Sequence, residues 1–438
     1  MTIIAEPTEE FPYQIRSFPA KSAADGVEPA SAKWTEAVAF GFHAGAPEDL
    51  DIEKSLTSEE KDGRIHTGAY AASALDGAWD ADYPVATYAS YRKTVNVGAG
   101  KLLPAHLISA VTVRPTHRRR GLLRTIITAD LRRAKADGLA IAALTASEAT
   151  IYGRFGFGAA THAATIEVDS SHGFALKSAQ PGRGIVEIAE PGVLRELEPR
   201  IFNRVHAGTF GSIGRQDSYR YRVSGYWNYG KPGRDRTVRA ALYYGQDGKC
   251  EGYVSYRVLE TETPATLKVI DLLAADHAAH LALWQFLGSV DLVQRIRREG
   301  VPMADPLPWA LADKRRYQVT EVEDHLWLRI LDTTAALQAR HYWLDGTVTL
   351  KVMDALGFAG GVYRLHTLDG VGTVTELPAS EPADLELGAA ELAQLYLAGV
   401  SAQTLLAAGT VGELRTGGAA AVDAVFAAPV PAHSLTDF

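Results

Sequence analysis

The stretch that decides the fold is Leu107-Ile108-Ser109-Ala110-Val111-Thr112-Val113-Arg114-Pro115-Thr116-His117-Arg118-Arg119-Arg120-Gly121. Leu107 to Val113 are mostly apolar and rich in β-branched side chains, and Arg114-Pro115 ends them, as expected of a buried strand. Downstream, Leu123, Ile127, Leu131 and Ala134 put one apolar face on a predicted helix, and Asp137-Gly138 stops it. A glycine where a strand turns into a helix lets the backbone approach a ligand, and the N–H groups of a first helical turn have no partner inside the helix. With three arginines beside them, those groups suit a pyrophosphate. A solvated basic turn and a nucleic-acid contact are the competing readings of the triplet. The net charge of −8 counts against nucleic acid.

Leu139 to Leu144 reads as a second buried strand, which completes a strand–helix–strand unit whose strands should run parallel. After it come Ala146-Ser147-Glu148 and Ile151-Tyr152-Gly153-Arg154-Phe155-Gly156-Phe157-Gly158. Taken with Thr112 to Arg124, these motifs resemble the Eis (enhanced intracellular survival) family of GNAT N-acetyltransferases. The basic turn is a variant of the general GNAT pyrophosphate loop, with Leu123 where many such proteins carry a small residue. The resemblance extends over nearly the whole chain, strongest in these motifs and loosest before residue 100.

It implies an α/β (α+β) fold class: tandem GNAT-like domains followed by a sterol-carrier-like α/β C-terminal domain. The expected boundaries are 1–168 for a catalytic domain with an acetyl-CoA site, 184–312 for a second GNAT-like domain without the cofactor motif, and 313–438 for the third. Independently of the resemblance, 438 residues suggest two or three domains. A shift to Ser, Gly, Pro and Lys around Ser170 to Gly184 marks one linker, and the prolines of Pro302 to Pro308 followed by Asp313-Lys314-Arg315-Arg316 mark another passage. The strand predicted at Leu326 to Ile330 then belongs to the third domain, with helices at Ala389 to Leu397 and Ala402 to Ala408.

Acetyl transfer from a thioester needs a neutral amine, a place for the developing oxyanion and a proton for the departing thiolate. The resemblance implies that Val111, Thr112 and Val113 meet the pantetheine arm, and that Arg118, Arg119, Arg120, Gly121, Leu122, Leu123 and Arg124 hold the pyrophosphate. Ser147 and Glu148 are then expected along the acetyl-bearing arm. It also implies Tyr152 as general acid and the C-terminal carboxylate of Phe438 as general base. A phenol with an ordinary pKa of about 10 holds its proton at rest, and a terminal carboxyl of about 3.3 to 3.7 is charged at neutral pH. A structural buried tyrosine and a frayed tail are the plainer readings of the two. Leu435 and Phe438 nonetheless give the tail apolar anchors.

The expected reaction is transfer of acetyl from acetyl-CoA to amino groups of a polycationic small molecule, aminoglycoside-like or polyamine. Protein lysines, or a non-catalytic CoA- or lipid-binding module, are the alternatives. Ala110 stands where the family pattern has a bulky aromatic, and Asp437 where it has Glu, which leaves the acceptor open. The run Glu48-Asp49-Leu50-Asp51-Ile52-Glu53 reads either as a solvated helix face or as the wall of a polyamine site. One cysteine, Cys250, allows no internal disulfide and no multi-cysteine metal site, so no metal is expected. Met1 to Pro12 lacks a basic segment followed by an apolar run, so neither signal peptide nor membrane span is expected. A cytoplasmic homohexamer is the implied setting.

Overall fold

The computed structural model describes residues 1–22, 27–177, 184–228, 233–259 and 262–438. Residues 178–183 of the expected linker lie outside the described residues. Three sheets carry the chain. In the first, the order is Thr2–Ala5, Tyr13–Pro19, Ile65–Ala71, Ala86–Asn96, Leu102–Val113, Ile141–Thr145, Leu326–Ile330 and Gly158–Ala159. All of its pairings are antiparallel except that of Leu102–Val113 with Ile141–Thr145, which is parallel and short: Ala105, His106 and Leu107 face Ile141, Ala142 and Ala143. Beyond Leu107 the two strands part. A bulge against the preceding strand falls at Ala110, whose φ is +52°; an extra residue in one strand bends it and re-aims its side chains.

Alternation along these central strands explains why both faces are buried. Leu107, Ile141 and Ala143 point into a core shared with the C-terminal region, whereas Ile108, Ala142 and Leu144 point into a core shared with the helix Leu122–Ala136 through Leu122, Ile126, Ile127 and Leu131. From Ser109 to Val113 the strand is only half-buried.

The second sheet repeats the layout: Ile185–Ala189, Arg239–Tyr244, Cys250–Leu259, Thr266–Ala274, Arg295–Pro302, His162–Asp169 and Tyr317–Asp324. It too has one short parallel joint, Thr266, Leu267 and Lys268 against Arg295, Ile296 and Arg297, after which the strands part. Its bulge falls at Ile270, between the pairs Tyr256–Val269 and Ser255–Asp271. The third sheet runs Val371–Leu377, Gly361–Leu368, Gly346–Met353, Leu385–Gly388 and Gly412–Glu413, covered by helices including Ala389–Tyr396 and Gly418–Phe426.

Sheet membership corrects two expectations about where strands belong. Leu326–Ile330, predicted as part of the third domain, completes the first sheet between Ile141–Thr145 and Gly158–Ala159. Conversely, His162–Asp169, inside the expected first domain, completes the second sheet between Arg295–Pro302 and Tyr317–Asp324. The two strands cross over, so lines drawn at 168 and 313 do not follow the sheets. Every residue of Leu326–Ile330 is buried, which tells a reader of the sequence that the strand is internal but not to which sheet.

Candidate functional site

Gly121 is the N-cap of the helix Leu122–Ala136 and adopts φ +78°, in the left-handed region that glycine enters without strain. No side chain caps that helix, so the first-turn amides point outward. A Cβ built on Gly121 meets nothing within 4 Å. Arg118, Arg119, Arg120 and Arg124 are exposed around this end. Arg120 is steadied by donating from Nη1 to the Tyr13 hydroxyl at 2.8 Å. Leu122 is buried and Leu123 half-buried, anchoring the turn to the sheet. Outward amides, an open glycine and surrounding guanidinium groups fit a pyrophosphate.

The gap where the strands part opens into a cavity of about 790 Å³. Ser109, Ala110 and Val111 line it from one strand, and Thr145, Ala146 and Ser147 from the other. Thr112 turns away: its hydroxyl lies 2.6 Å from that of Thr87, and its side chain leaves no room for a Cβ on Gly41 of the neighbouring helix. Val113 pairs with Ala86 in the sheet. Glu148 is exposed at the start of the helical turn Ala149–Tyr152 and is not in the lining.

Tyr152, buried at 7 % exposure, does reach the cavity. Burial, reinforced by the nearby charge of Glu148, pushes its phenol up to about 12, so it holds its proton across the physiological range. Its ring stands edge-on to Phe157, 6.1 Å away. The turn after it closes at Gly156, φ +79°, where a Cβ would come within 2.8 Å of the Arg329 guanidinium. Arg329 is itself fully buried and paired with Asp354 at 2.6 Å. The crossed-over strand and the third sheet thus clamp the turn that carries Tyr152.

Phe438 lines the same cavity, 286 positions from Tyr152 in sequence. The tail that delivers it is packed, not frayed: Ala432, His433, Ser434 and Thr436 are buried. Arg215 donates to the Leu435 carbonyl at 2.9 Å, Gln216 to that of Asp437 at 3.1 Å, and Thr436 Oγ1 to the carbonyl of Ile213 at 3.0 Å. Thr145 Oγ1 donates to the Phe438 backbone oxygen and accepts from its N–H at 3.3 Å. The Phe438 ring meets Tyr91 edge-on at 6.1 Å.

The remaining wall is acidic and aromatic. Glu48, Asp51, Glu59, Glu323, Asp324 and Asp437 line it, with Trp34, Phe42 and Trp227 among the rings. The acidic run is therefore both helix surface and cavity wall, since the helix Asp49–Lys61 turns Asp51 inward. Burial pushes the Glu59 carboxyl up, but a 2.8 Å hydrogen bond to His66 and the charges of His66 and Arg64 outweigh it and leave Glu59 below its usual range. His66 in turn stacks on Trp34, 3.7 Å between centroids. His325 Nε2 lies 3.3 Å from Asp437 Oδ1 without hydrogen-bond alignment. Thr145, His325 and Glu323 also line the cavity and carry no signal in the sequence. Nothing local marks them, because they gain meaning only from strands and a tail distant in sequence.

Comparison with known proteins accords with this geometry. Acetyltransferase (GNAT) domain families match residues 52–160 and 211–330, and a sterol carrier protein domain matches 333–434. N-acetyltransferase Eis of Mycobacterium tuberculosis is 34% identical over 408 residues, covering 90% of this chain and 93% of the relative. The chain belongs to the Eis family of GNAT N-acetyltransferases. An uncharacterized N-acetyltransferase of Streptomyces griseus is 35% identical over 405 residues, 90% of this chain and 94% of its own. The crystal structure of Eis1 from Mycobacterium abscessus superposes with a TM-score of 0.76 at 27% identity, over 97% of this chain and 100% of that one. A GCN5-related N-acetyltransferase from Anabaena variabilis shares the fold at 17% identity, with a TM-score of 0.77 over 97% of this chain and 100% of its own. As an Eis-type acetyltransferase, the protein has two GNAT domains and a sterol-carrier-like domain, and GNAT domains use acetyl-CoA. No group of metal-ligating side chains occurs among the described residues. No described helix is long and apolar enough to cross a membrane.

Proposed function

We propose that this acetyltransferase acts on primary amines of a polycationic small molecule, with Tyr152 as general acid and the terminal carboxylate of Phe438 as general base. The observation that carries the reading is the meeting of Tyr152, Phe438 and six acidic side chains in the lining of one cavity. Carboxylates on a low-dielectric wall concentrate cations and orient them, and the accessible rings of Phe42 and Trp227 offer faces to ammonium groups. An acceptor must lose a proton to attack, and a carboxylate beside the amine, directly or through one water, receives it. Tyr152, whose hydroxyl keeps its proton to about pH 12, then supplies one to the departing thiolate. In this reading the outward amides at Gly121 and the guanidinium groups of Arg118, Arg119, Arg120 and Arg124 hold the pyrophosphate. Val111 and Ser147 flank the acetyl-bearing arm. Glu148, outside the lining, is assigned no part.

The small side chain of Ala110 widens the wall and favours bulky acceptors, aminoglycosides or long polyamines, over compact ones. A free-thiol release assay with acetyl-CoA and a panel of aminoglycosides, polyamines, arylalkylamines and lysine peptides tests this. Turnover of the polyamine and aminoglycoside arms is expected, and turnover of lysine peptides alone would replace the reading by protein acetylation. One glycine appended after Phe438 shifts the carboxylate by up to ~3.6 Å with every side chain kept. Activity should fall while the melting temperature holds. We also propose a cytoplasmic homohexamer; light scattering that returns only the 47.1 kDa protomer refutes the assembly.

A further inference from the structure

The parting of strands in the second sheet also opens a cavity, of about 510 Å³, in the range of small-molecule sites. Its position corresponds to that of the first: both begin where a short parallel joint ends and beside a bulge in the preceding strand. Its chemistry differs. At its wall stands Arg298, 8 % exposed, on the strand Arg295–Pro302. One of its terminal nitrogens donates to the Leu272 carbonyl at 3.3 Å, and the other, Nη1, is buried without a hydrogen-bond partner. No ion pair reaches Arg298 among the described residues. The two acids that influence it are engaged elsewhere. Asp271 is held by both terminal nitrogens of Arg215 at 2.7 and 3.0 Å, and Asp305 by the Tyr317 hydroxyl and the Leu307 amide at 3.1 and 3.0 Å. On the same wall, Lys268 and Arg297 share the carboxylate of Glu299 at 2.8 and 3.6 Å, while Asp235, Glu321, Glu323 and Asp437 line other parts of the cavity.

A buried guanidinium without a counter-ion is costly, and an orphan donor adds the expense of desolvation. Burial accordingly lowers the Arg298 pKa. Such a group persists where something negative completes it. We propose that the second cavity is a binding site for a small oxyanion, a carboxylate or phosphate group, received by the guanidinium of Arg298, which lines the cavity while its Nη1 stays buried, with Lys268 and Arg297 beside it. The pyrophosphate arrangement of the first domain is not reproduced here, because the helix His277–Leu287 that follows the bulged strand is capped by the Asp276 carboxylate at 2.8 Å from the Ala279 amide. The anion therefore belongs between the strands, not at the helix end. The cavity shares Trp227, Asn228, Glu323, His325 and Asp437 with the first one. The oxyanion thus has two available sources: a free anion, or the far end of an amine seated in the acidic cavity.

Titration calorimetry on the full-length protein separates these. The probes are inorganic phosphate, with the first site saturated by CoA, and 6-aminohexanoate against hexylamine. Phosphate or 6-aminohexanoate should bind the native protein, and Arg298→Met should weaken that binding at least tenfold with acetyl-CoA affinity unchanged. Preference for 6-aminohexanoate over hexylamine, lost in Arg298→Met, assigns the anion to an acceptor's tail; phosphate binding with no difference between the two amines assigns a free anion. Anion binding untouched by Arg298→Met, or no anion binding to native protein that still takes up acetyl-CoA, overturns the proposal. Should Arg298→Met not fold, Lys268→Met with Arg297→Met removes the partly exposed cations of the same wall and is read the same way. The site does not depend on the reading of Tyr152 and Phe438, whose failure appears separately as turnover that survives their replacement.

Discussion

The first and second sheets share a strand order, a parallel joint of three residue pairs and a bulge beside it, yet the helix that follows the bulged strand begins differently in each. In the first, Gly121 leaves the opening amides free among exposed arginines. In the second, the Asp276 carboxylate occupies the equivalent place and accepts from Ala279. An anionic cap satisfies a helix N-terminus internally and repels a phosphate from it. Architecture alone therefore does not decide the state of the helix end; the occupant of one capping position does, and the open end is the one proposed above to hold the pyrophosphate.

The same contrast holds between the strands. The first cleft has small and hydroxyl-bearing walls, Ser109, Ala110, Thr145 and Ser147, suited to a narrow arm, with acids outside them. Charged residues fill the second, among them Lys268, Asp271, Arg297 and Arg298. Tyr152 has its place on the turn beyond the first cleft.

The largest effect expected on this comparison is that of Tyr152→Phe, which keeps the ring against Phe157 and deletes the proton. Turnover should fall by about 10² to 10⁴, the usual range for a general acid, with acetyl-CoA affinity preserved. A variant with native turnover would reduce Tyr152 to a packing residue.

Next comes Gly121→Asp, which installs the second helix's cap on the first. Strain at φ +78° and a carboxylate beside the proposed pyrophosphate site both oppose binding. The dissociation constant for acetyl-CoA should rise at least tenfold by calorimetry, as it should for Arg119→Ala, where a charge-assisted bond of about 1.5 to 3 kcal/mol is lost. Unchanged affinity in both would break the comparison at its root.

A smaller effect is expected at the acidic wall. Asp51→Asn removes a partly exposed charge whose pairing with an ammonium group is worth about 0.2 to 1 kcal/mol. The KM for a polyamine should therefore rise by up to about fivefold, and the difference should shrink at high salt. Steady-state kinetics at two ionic strengths would show it, and a salt-independent change would point to altered packing.

The smallest concerns the second helix itself. Asp276→Ala should cost about 1 kcal/mol of stability, the typical price of a lost N-cap, and leave acetyl-CoA affinity and turnover untouched. A denaturant titration alongside calorimetry checks both halves. Any loss of acetyl-CoA binding would show that the second helix end is not an inert counterpart of the first.

The local devices of the chain are legible in its sequence. The strand, the arginine turn and the amphipathic helix from Leu107 to Ala136 were legible because strand alternation, helical periodicity and a positive-φ glycine are written within a few residues of one another. Tyr152 and the tail residues could be named from motif resemblance. The crossover of Leu326–Ile330 and His162–Asp169 was not legible, since a run of apolar residues states that a strand is covered on both faces without saying by what.

What the sequence by itself determined is thus the set of pieces: a strand–helix–strand unit with an arginine–glycine turn at the helix start, a tyrosine on a glycine-rich turn, and a tail with apolar anchors. What only the tertiary structure decided is their meeting. Thr145 holds the Phe438 backbone across 293 positions, Arg215 holds Leu435 across 220, and Arg329 reaches Gly156 from a strand exchanged between sheets. Contacts at such separations follow from which apolar faces cover one another when the chain collapses. That depends on the sum of many weak burial terms, not on any residue's own pattern.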